Sequence, residues 1–270
     1  MTAWPERFGP WALVTGASDG IGRAIARDLA RRGLSLVLVA RRRERLEALA
    51  DELRREFRVA VRVHPADLGE RAAVAGLLDA VGDLEIGLLA SCAGFGSSGP
   101  FLATDPAAEL AMVEVNCTAS LHLARVLGTT MAGRGRGGIL LMSSIVAFQG
   151  VPHAATYAAT KAFVQSLAEG IAPELEGRGV AVLASAPGPV ASGFGARAGM
   201  RLERGARPET VARATLDALG RRRLVRPGGL ARLLGWSVLT LPRPLRTRIM
   251  GRIMQRMTAA DDGSRSRQAS

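Results

Sequence analysis

The chain has 270 residues, 48% of them apolar, which can build the core of one large α/β domain or two small ones and argues against disorder for most of its length. Its 36 basic and 24 acidic residues leave a net charge of +12, and 17 basic against 5 acidic residues fall after position 196, so a neutral body carries a basic tail. No apolar run approaches the ~18–20 residues of a membrane span, the opening MTAWPERFGP lacks the layout of a secretory signal, and two cysteines, Cys92 and Cys117, make no disulfide framework; a cytoplasmic protein is expected.

Strand-like runs alternate with helical patterns from the start. PWALVTG is followed by GIGRAIARDLARRG, LSLVLVA by RRERLEALADELRREF, VAVRVHPAD by RAAVAGLLDAVG, and then comes the strand-like IGLLASCAG. The rhythm continues with a helix over about 106–132, the strand GGILLMSS, a helix over about 154–176, and the strand VAVLASAPG. A helix over about 208–220 and a short strand, LVRPG, close it. Such alternation predicts βαβ units and a doubly wound parallel sheet, a Rossmann-type single domain over 1–228. The strands are continuously apolar, which suits a sheet covered by helices on both faces. Residues 192–206, rich in Gly and Arg without a period, read as a mobile lid. Residues 229–260 read as a basic amphipathic helical extension, and 261–270 as a disordered tail.

The first strand runs into TGASDGIG, with Gly16, Ser18, Asp19, Gly20, Ile21 and Gly22 leading into the first long helix. Glycines at that junction let the backbone turn sharply and approach a pyrophosphate, whose charge is favoured by free N–H groups and the helix dipole. About 20 positions on, where an acidic residue would bind the ribose hydroxyls of NAD, the chain has Arg41 and Arg42. Guanidinium groups suit a 2′-phosphate by charge and by paired geometry, so NADP(H) is the expected cofactor. Asp19 is an awkward neighbour for that phosphate.

Of the 36 basic residues, 35 are arginine; the one lysine is Lys161, the one tyrosine Tyr157, and the one asparagine Asn116. Residues four apart share a helix face, so the phenol and the ammonium point the same way. A phenol with a pKa of about 10 is a poor acid–base catalyst at neutrality, and an adjacent ammonium is expected to lower it. The pair then suits proton exchange with a carbonyl and its alcohol. A nucleotide-binding scaffold or redox sensor without turnover would not need them together.

At these residues the chain resembles the short-chain dehydrogenase/reductase family over about 10–195, through TGASDGIG, YAATK and APGPV at 186–190. The resemblance implies that Ser144 hydrogen-bonds the substrate carbonyl and that Asn116 holds a water linking Lys161 to solvent. It further implies that Asp67 and Leu68 border the adenine, that Ala93 and Gly94 line the cofactor site, and that Pro187, Gly188, Val190 and Ser192 frame the nicotinamide. It also implies a homodimer or homotetramer. Two departures stand out: Ser91-Cys92-Ala93-Gly94 replaces the usual Asn-Asn-Ala-Gly, and Ser192 replaces a common threonine. Ser143 rivals Ser144 on the residues alone, and the family spacing favours the latter. His64, His122 and His153 show no metal spacing and read as surface or packing residues.

Phe95, Phe101, Val146, Phe148, Gln149, Phe194 and Met200 follow strand ends or belong to the lid, where ligands of this fold lie. The set is mostly apolar, which points to a hydrophobic ketone or alcohol: fatty, steroid-like or polyketide. In the tail, Leu245, Ile249, Met250, Ile253, Met254 and Met257 recur at helical spacing beside Arg246, Arg248, Arg252 and Arg256. Such a helix either lies on anionic lipid, giving peripheral contact with the inner membrane surface through 229–257, or docks over the substrate pocket or a subunit partner. With Trp236 the one aromatic residue interleaved among the tail arginines, nucleic acid is not an expected partner.

Overall fold

The computed structural model describes residues 4–200, 205–229 and 241–258, without the side chains of 256–258. Seven parallel strands form one sheet in the order β3-β2-β1-β4-β5-β6-β7. They are β1 (Trp11–Thr15), β2 (Ser35–Ala40), β3 (Val61–Pro65), β4 (Ile86–Ser91), β5 (Gly137–Met142), β6 (Val180–Ser185) and β7 (Leu224–Val225). The order reverses between β1 and β4, and that switch point opens a cleft beyond the strand ends, the usual ligand site of such sheets.

Alternation of side chains along each strand sorts the core into two layers. On one face Ala12, Val14, Leu36, Leu38, Leu88 and Leu140 pack against α2 (Gly20–Arg31), α3 (Arg43–Phe57) and α9 (Pro208–Ala218). On the other, Leu13, Val37, Leu89, Ile139, Leu141 and Val182 meet α4 (Arg71–Ala80), α6 (Ala119–Arg134) and α7 (Ala155–Glu176). Leu29, Leu49, Leu77 and Leu88 are at most 2% exposed. Truncating any one to Ala is expected to cost about 2–5 kcal/mol, because the space it leaves refills only in part.

A short helix, α1 (Trp4–Phe8), precedes the sheet and buries Phe8 against Gly138, where a Cβ would stand 2.9 Å from the ring. The helix expected over 106–132 is a rod of two parts, α5 (Pro106–Val113) and α6, joined by a π-helical turn over Glu114–Thr118. The strand expected over GGILLMSS ends at Met142; the chain then enters a 3₁₀ turn over Ile145–Phe148. Within the expected lid, α8 (Phe194–Arg197) is a single turn, Val190 pairs with Ala206, and 201–204 lie outside the described residues.

Of the basic extension, α10 (Arg243–Thr258) is described; the apolar stretch at 230–240 with Trp236, and the tail from 259, lie outside the described residues. The apolar side of α10 turns inward: Met250 and Met254 are buried in a cluster with Val146, Val151, Ala154, Ala158, Ala198 and Met200. Gly251 makes the approach possible, since a Cβ there would stand 3.0 Å from Pro152. In the structure this helix docks over the pocket, burying Met250 and Met254 while Leu245 and Ile253 stay exposed. Among the described residues no helix is long and apolar enough to cross a membrane.

Candidate active site

The cleft at the switch point encloses 1220 Å³. Its floor begins at the glycine loop. Gly16 and Gly20 have φ of 67° and 52°, conformations that side chains disfavour. A Cβ on Gly22 would lie 2.3 Å from the Gly16 carbonyl oxygen, so only glycine lets α2 start so close beneath the loop. Thr15, fully buried, accepts hydrogen bonds through its hydroxyl from the backbone N–H of both Cys92 and Ala93, at 3.0 Å each. Ser91, at the first family departure, bonds instead to Ser120, with 3.0 Å between hydroxyls.

Asp19 is less awkward in the structure than in the sequence. Its carboxylate accepts from the Gly20 N–H at 2.7 Å, capping α2, and lies 3.9 Å from both Arg42 and Arg45. Arg42 also donates to the Ser18 hydroxyl at 3.2 Å, and Arg41 stands 3.6 Å from Asp67, so both arginines border the cleft. Asp67 in turn accepts from the Gly69 N–H at 3.0 Å.

Beyond the loop lie the rare residues. Lys161 is 5% exposed, and its ammonium donates to the Met142 carbonyl at 2.9 Å. The Lys161 Nζ lies 5.8 Å from the centre of the Tyr157 ring, so the two share one side of α7. Burial pushes the Lys161 ammonium down from 10.5 to about 8. Burial also pushes the Tyr157 phenol up to about 12, with a hydrogen bond from Ser144 working weakly against it. Tyr157 is half-buried by exposed area because one side opens into the cleft; the surrounding protein still desolvates it. The expected lowering of the phenol by its neighbour is therefore not observed within the chain itself: desolvation wins, and the phenol stays protonated at neutral pH.

The two serines at the end of β5 separate cleanly. Ser143 is 2% exposed and donates to the Lys161 carbonyl at 3.1 Å, fixing α7 to the strand. Ser144 caps the 3₁₀ turn, accepting from the Val146 N–H at 3.4 Å, and bonds the phenol of Tyr157. Asn116 occupies the π-helical turn, a backbone irregularity common at functional sites. Its side chain accepts from the Phe95 N–H at 3.1 Å, donates to the Phe95 carbonyl at 2.9 Å, and donates to Thr160 at 3.0 Å. A Cβ on Gly94 would stand 2.9 Å from Asn116 Oδ1 and 3.3 Å from Lys161 Nζ. Glycine there keeps the asparagine and the lysine close across an open floor.

Every expected site residue lines the cleft except Asn116, which stands one layer behind it: Gly16, Ser18, Asp19, Gly20, Ile21, Gly22, Arg41, Arg42, Asp67, Leu68, Ala93, Gly94, Ser144, Tyr157, Lys161, Pro187, Gly188, Val190 and Ser192. Of the expected substrate contacts, Phe95, Val146, Phe194 and Met200 line it, whereas Phe101, Phe148 and Gln149 do not. Phe101 is 66% exposed, Phe148 packs under the Arg226 guanidinium at 4.6 Å, and Gln149 is buried. His153 also lies outside the lining; its carbonyl accepts from the Gly99 N–H. Sequence reasoning missed Thr160, which links Asn116 to the Tyr157 carbonyl, and Arg197 on the lid. It also did not single out Met250, Ile253 and Met254 as cleft wall, because an amphipathic pattern does not say which surface covers it. Among the described residues no group of three or more His, Cys, Asp or Glu could hold a metal ion.

A doubly wound α/β sheet with a glycine loop at its switch point defines a dinucleotide-binding fold. The short chain dehydrogenase family model matches residues 10–201, and the chain belongs to that family of oxidoreductases, which use nicotinamide dinucleotides. A 7beta-hydroxysteroid dehydrogenase of Clostridium sardiniense is 36% identical over 179 residues, 66% of this chain and 68% of that protein. A very-long-chain 3-oxoacyl-CoA reductase of Anas platyrhynchos is 31% identical over 240 residues, 87% of this chain and 77% of its own. Among solved structures, a short-chain dehydrogenase from Sphingobium yanoikuyae in complex with NADPH is similar at a TM-score of 0.79 and 34% identity, covering 86% of this chain and 92% of that one.

Proposed function

We propose that this chain is an NADP(H)-dependent dehydrogenase or reductase that interconverts a bulky hydrophobic ketone and its secondary alcohol. The observation that carries the reading is the meeting of Ser144, Tyr157 and the buried Lys161 in one cleft with an apolar wall of Val146, Phe194, Met200, Met250 and Met254. The residues present fit a nicotinamide dinucleotide: Gly20 and Gly22 at the start of α2 for its pyrophosphate, Arg41 and Arg42 for a 2′-phosphate, Pro187, Gly188, Val190 and Ser192 at the other end. When bound, that group supplies or accepts the hydride.

The chain's own side chains do the rest. Ser144 orients the substrate oxygen. Tyr157, held neutral by burial, donates its proton to that oxygen during reduction and takes it back during oxidation. Lys161, with a proton affinity near neutrality, stabilises the phenolate so left and holds the ribose hydroxyls. Asn116 keeps the relay behind Lys161 in place through Phe95 and Thr160. The arginine pair supports NADP(H) over NAD(H), as does the similarity to a dehydrogenase solved with NADPH. The cleft's apolar wall supports a fatty or steroid-like substrate, as do relatives named for hydroxysteroids and long-chain 3-oxoacyl thioesters.

In this reading residues 1–228 are the catalytic body with its lid at 192–206, and α10 of the extension serves as a wall of the substrate pocket through Met250, Ile253 and Met254. Exposed Leu121, Val126 and Phe163 on the adjacent α6 and α7 support self-association through those helices. The test is a panel of steroid, aryl-alkyl and 3-oxoacyl ketones with NADPH, followed by loss of nicotinamide absorbance. Activity on at least one bulky ketone, with NADPH preferred to NADH, is expected; no turnover across the panel would sink the reading.

A further inference from the structure

Arg197 closes the single turn of α8 and lines the same cleft as Arg41 and Arg42. Those two and Arg45 each have a carboxylate within 4 Å, on Asp67 or Asp19. Arg197 has no ion-pair partner among the described residues. Its guanidinium instead lies 4.8 Å over the ring of Phe95, on the cleft floor. Burial first, and then the charges of Arg41 and Arg42, push its proton affinity down, while Asp67 opposes them, so all of these groups share one field.

We propose that Arg197 is a phosphate-gripping residue carried by the lid, which joins Arg41 and Arg42 in holding a phosphate of the bound dinucleotide. The inference rests on the NADP(H) reading above. A cationic fork stacked on an aromatic face is held loosely compared with one donating two parallel hydrogen bonds to a phosphate, so the exchange is favourable. Arginine suits the task better than lysine, because its planar fork meets two phosphate oxygens at once.

The contact would also act on the substrate wall. Phe194 begins the same turn of helix, and its ring centre lies 5.4 Å from that of Tyr157. The far end of the turn is anchored where the Ser98 hydroxyl donates to the Ala198 carbonyl at 2.7 Å. A phosphate gripped by Arg197 would steady the turn that already sets Phe194 against the phenol.

The experiment titrates NADPH and NADH into the full chain and into its Arg197→Ala and Arg197→Lys variants, reading dissociation constants by calorimetry, with thermal melts confirming that each variant folds. Arg197→Ala is expected to weaken NADPH at least about tenfold, and Arg197→Lys to recover part of the loss. A loss with NADPH alone assigns the contact to the 2′-phosphate; an equal loss with both nucleotides assigns it to the pyrophosphate. Unchanged constants for both in a folded Arg197→Ala variant overturn the proposal. Should the parent protein bind NADH as tightly as NADPH, the NADP(H) reading fails, and the Arg197 comparison still stands on the two nucleotides together.

Discussion

Replacing Lys161 with methionine separates what the ammonium contributes to chemistry from what it costs the fold. Lys161 is 5% exposed, and burial pulls it from 10.5 down to about 8. At about 1.4 kcal/mol per pH unit, keeping that group charged opposes folding by about 3 kcal/mol at pH 7. Between about pH 8 and 10.5 the unfolded chain binds the proton more tightly than the folded one, so stability rises with pH across that window. By pH 10 the opposition has fallen below about 1 kcal/mol. A methionine carries no charge to desolvate, so the stability gap between variant and parent should move by about 2–3 kcal/mol in the parent's favour from pH 7 to pH 10. Losing the hydrogen bond to the Met142 carbonyl, about 1 kcal/mol, offsets the gap equally at each pH and leaves that movement intact. Urea unfolding of both proteins across the range measures it. A gap that stays flat with pH would refute the buried, proton-losing ammonium, and parental turnover in the variant would refute its place in the chemistry.

Tyr157→Phe removes the phenol that Ser144 bonds; turnover should fall by about 10²–10⁴ while calorimetry finds NADPH affinity unchanged. Arg42→Ala breaks the contacts to Ser18 and Asp19 and should raise the NADPH dissociation constant about tenfold while sparing NADH, read by titrating each nucleotide. Met254→Ala opens the wall where α10 covers the cleft; it should cost about 2–4 kcal/mol of stability in urea unfolding and raise KM for a bulky ketone more than it lowers kcat.

The sheet was legible because its strands are apolar on both faces and its helices amphipathic, so the period alone separates them. Scarcity exposed three of the four expected catalytic residues: in a chain that spells almost every cation as arginine, Lys161 stands out, as do Tyr157 and Asn116. Ser144 was not separable from Ser143 in this way. Neighbouring residues past a strand end face different directions, and it takes the Ser143 bond to the Lys161 carbonyl to say which hydroxyl is spent on structure. The π-helical turn at Asn116 left no trace either, since it is a shift of backbone hydrogen bonds that no side chain announces.

Depth was the largest thing hidden. A spacing of four says that a phenol and an ammonium share a helix face, but their proton affinities follow from how much water each loses. Here that loss is imposed by pieces far apart in the chain: Gly94 on the floor, Met142 and Ser143 at the end of β5, and the lid's Phe194 against the Tyr157 ring. Each presses on a group whose spacing was already plain, and together they reverse the direction expected for the phenol. In the proposed reduction, the proton passes to the carbonyl oxygen from a tyrosine held neutral beside a lysine that loses its own proton near pH 8. In the proposed reaction the alkaline limit on turnover then comes from Lys161, near pH 8, before the phenol ionises.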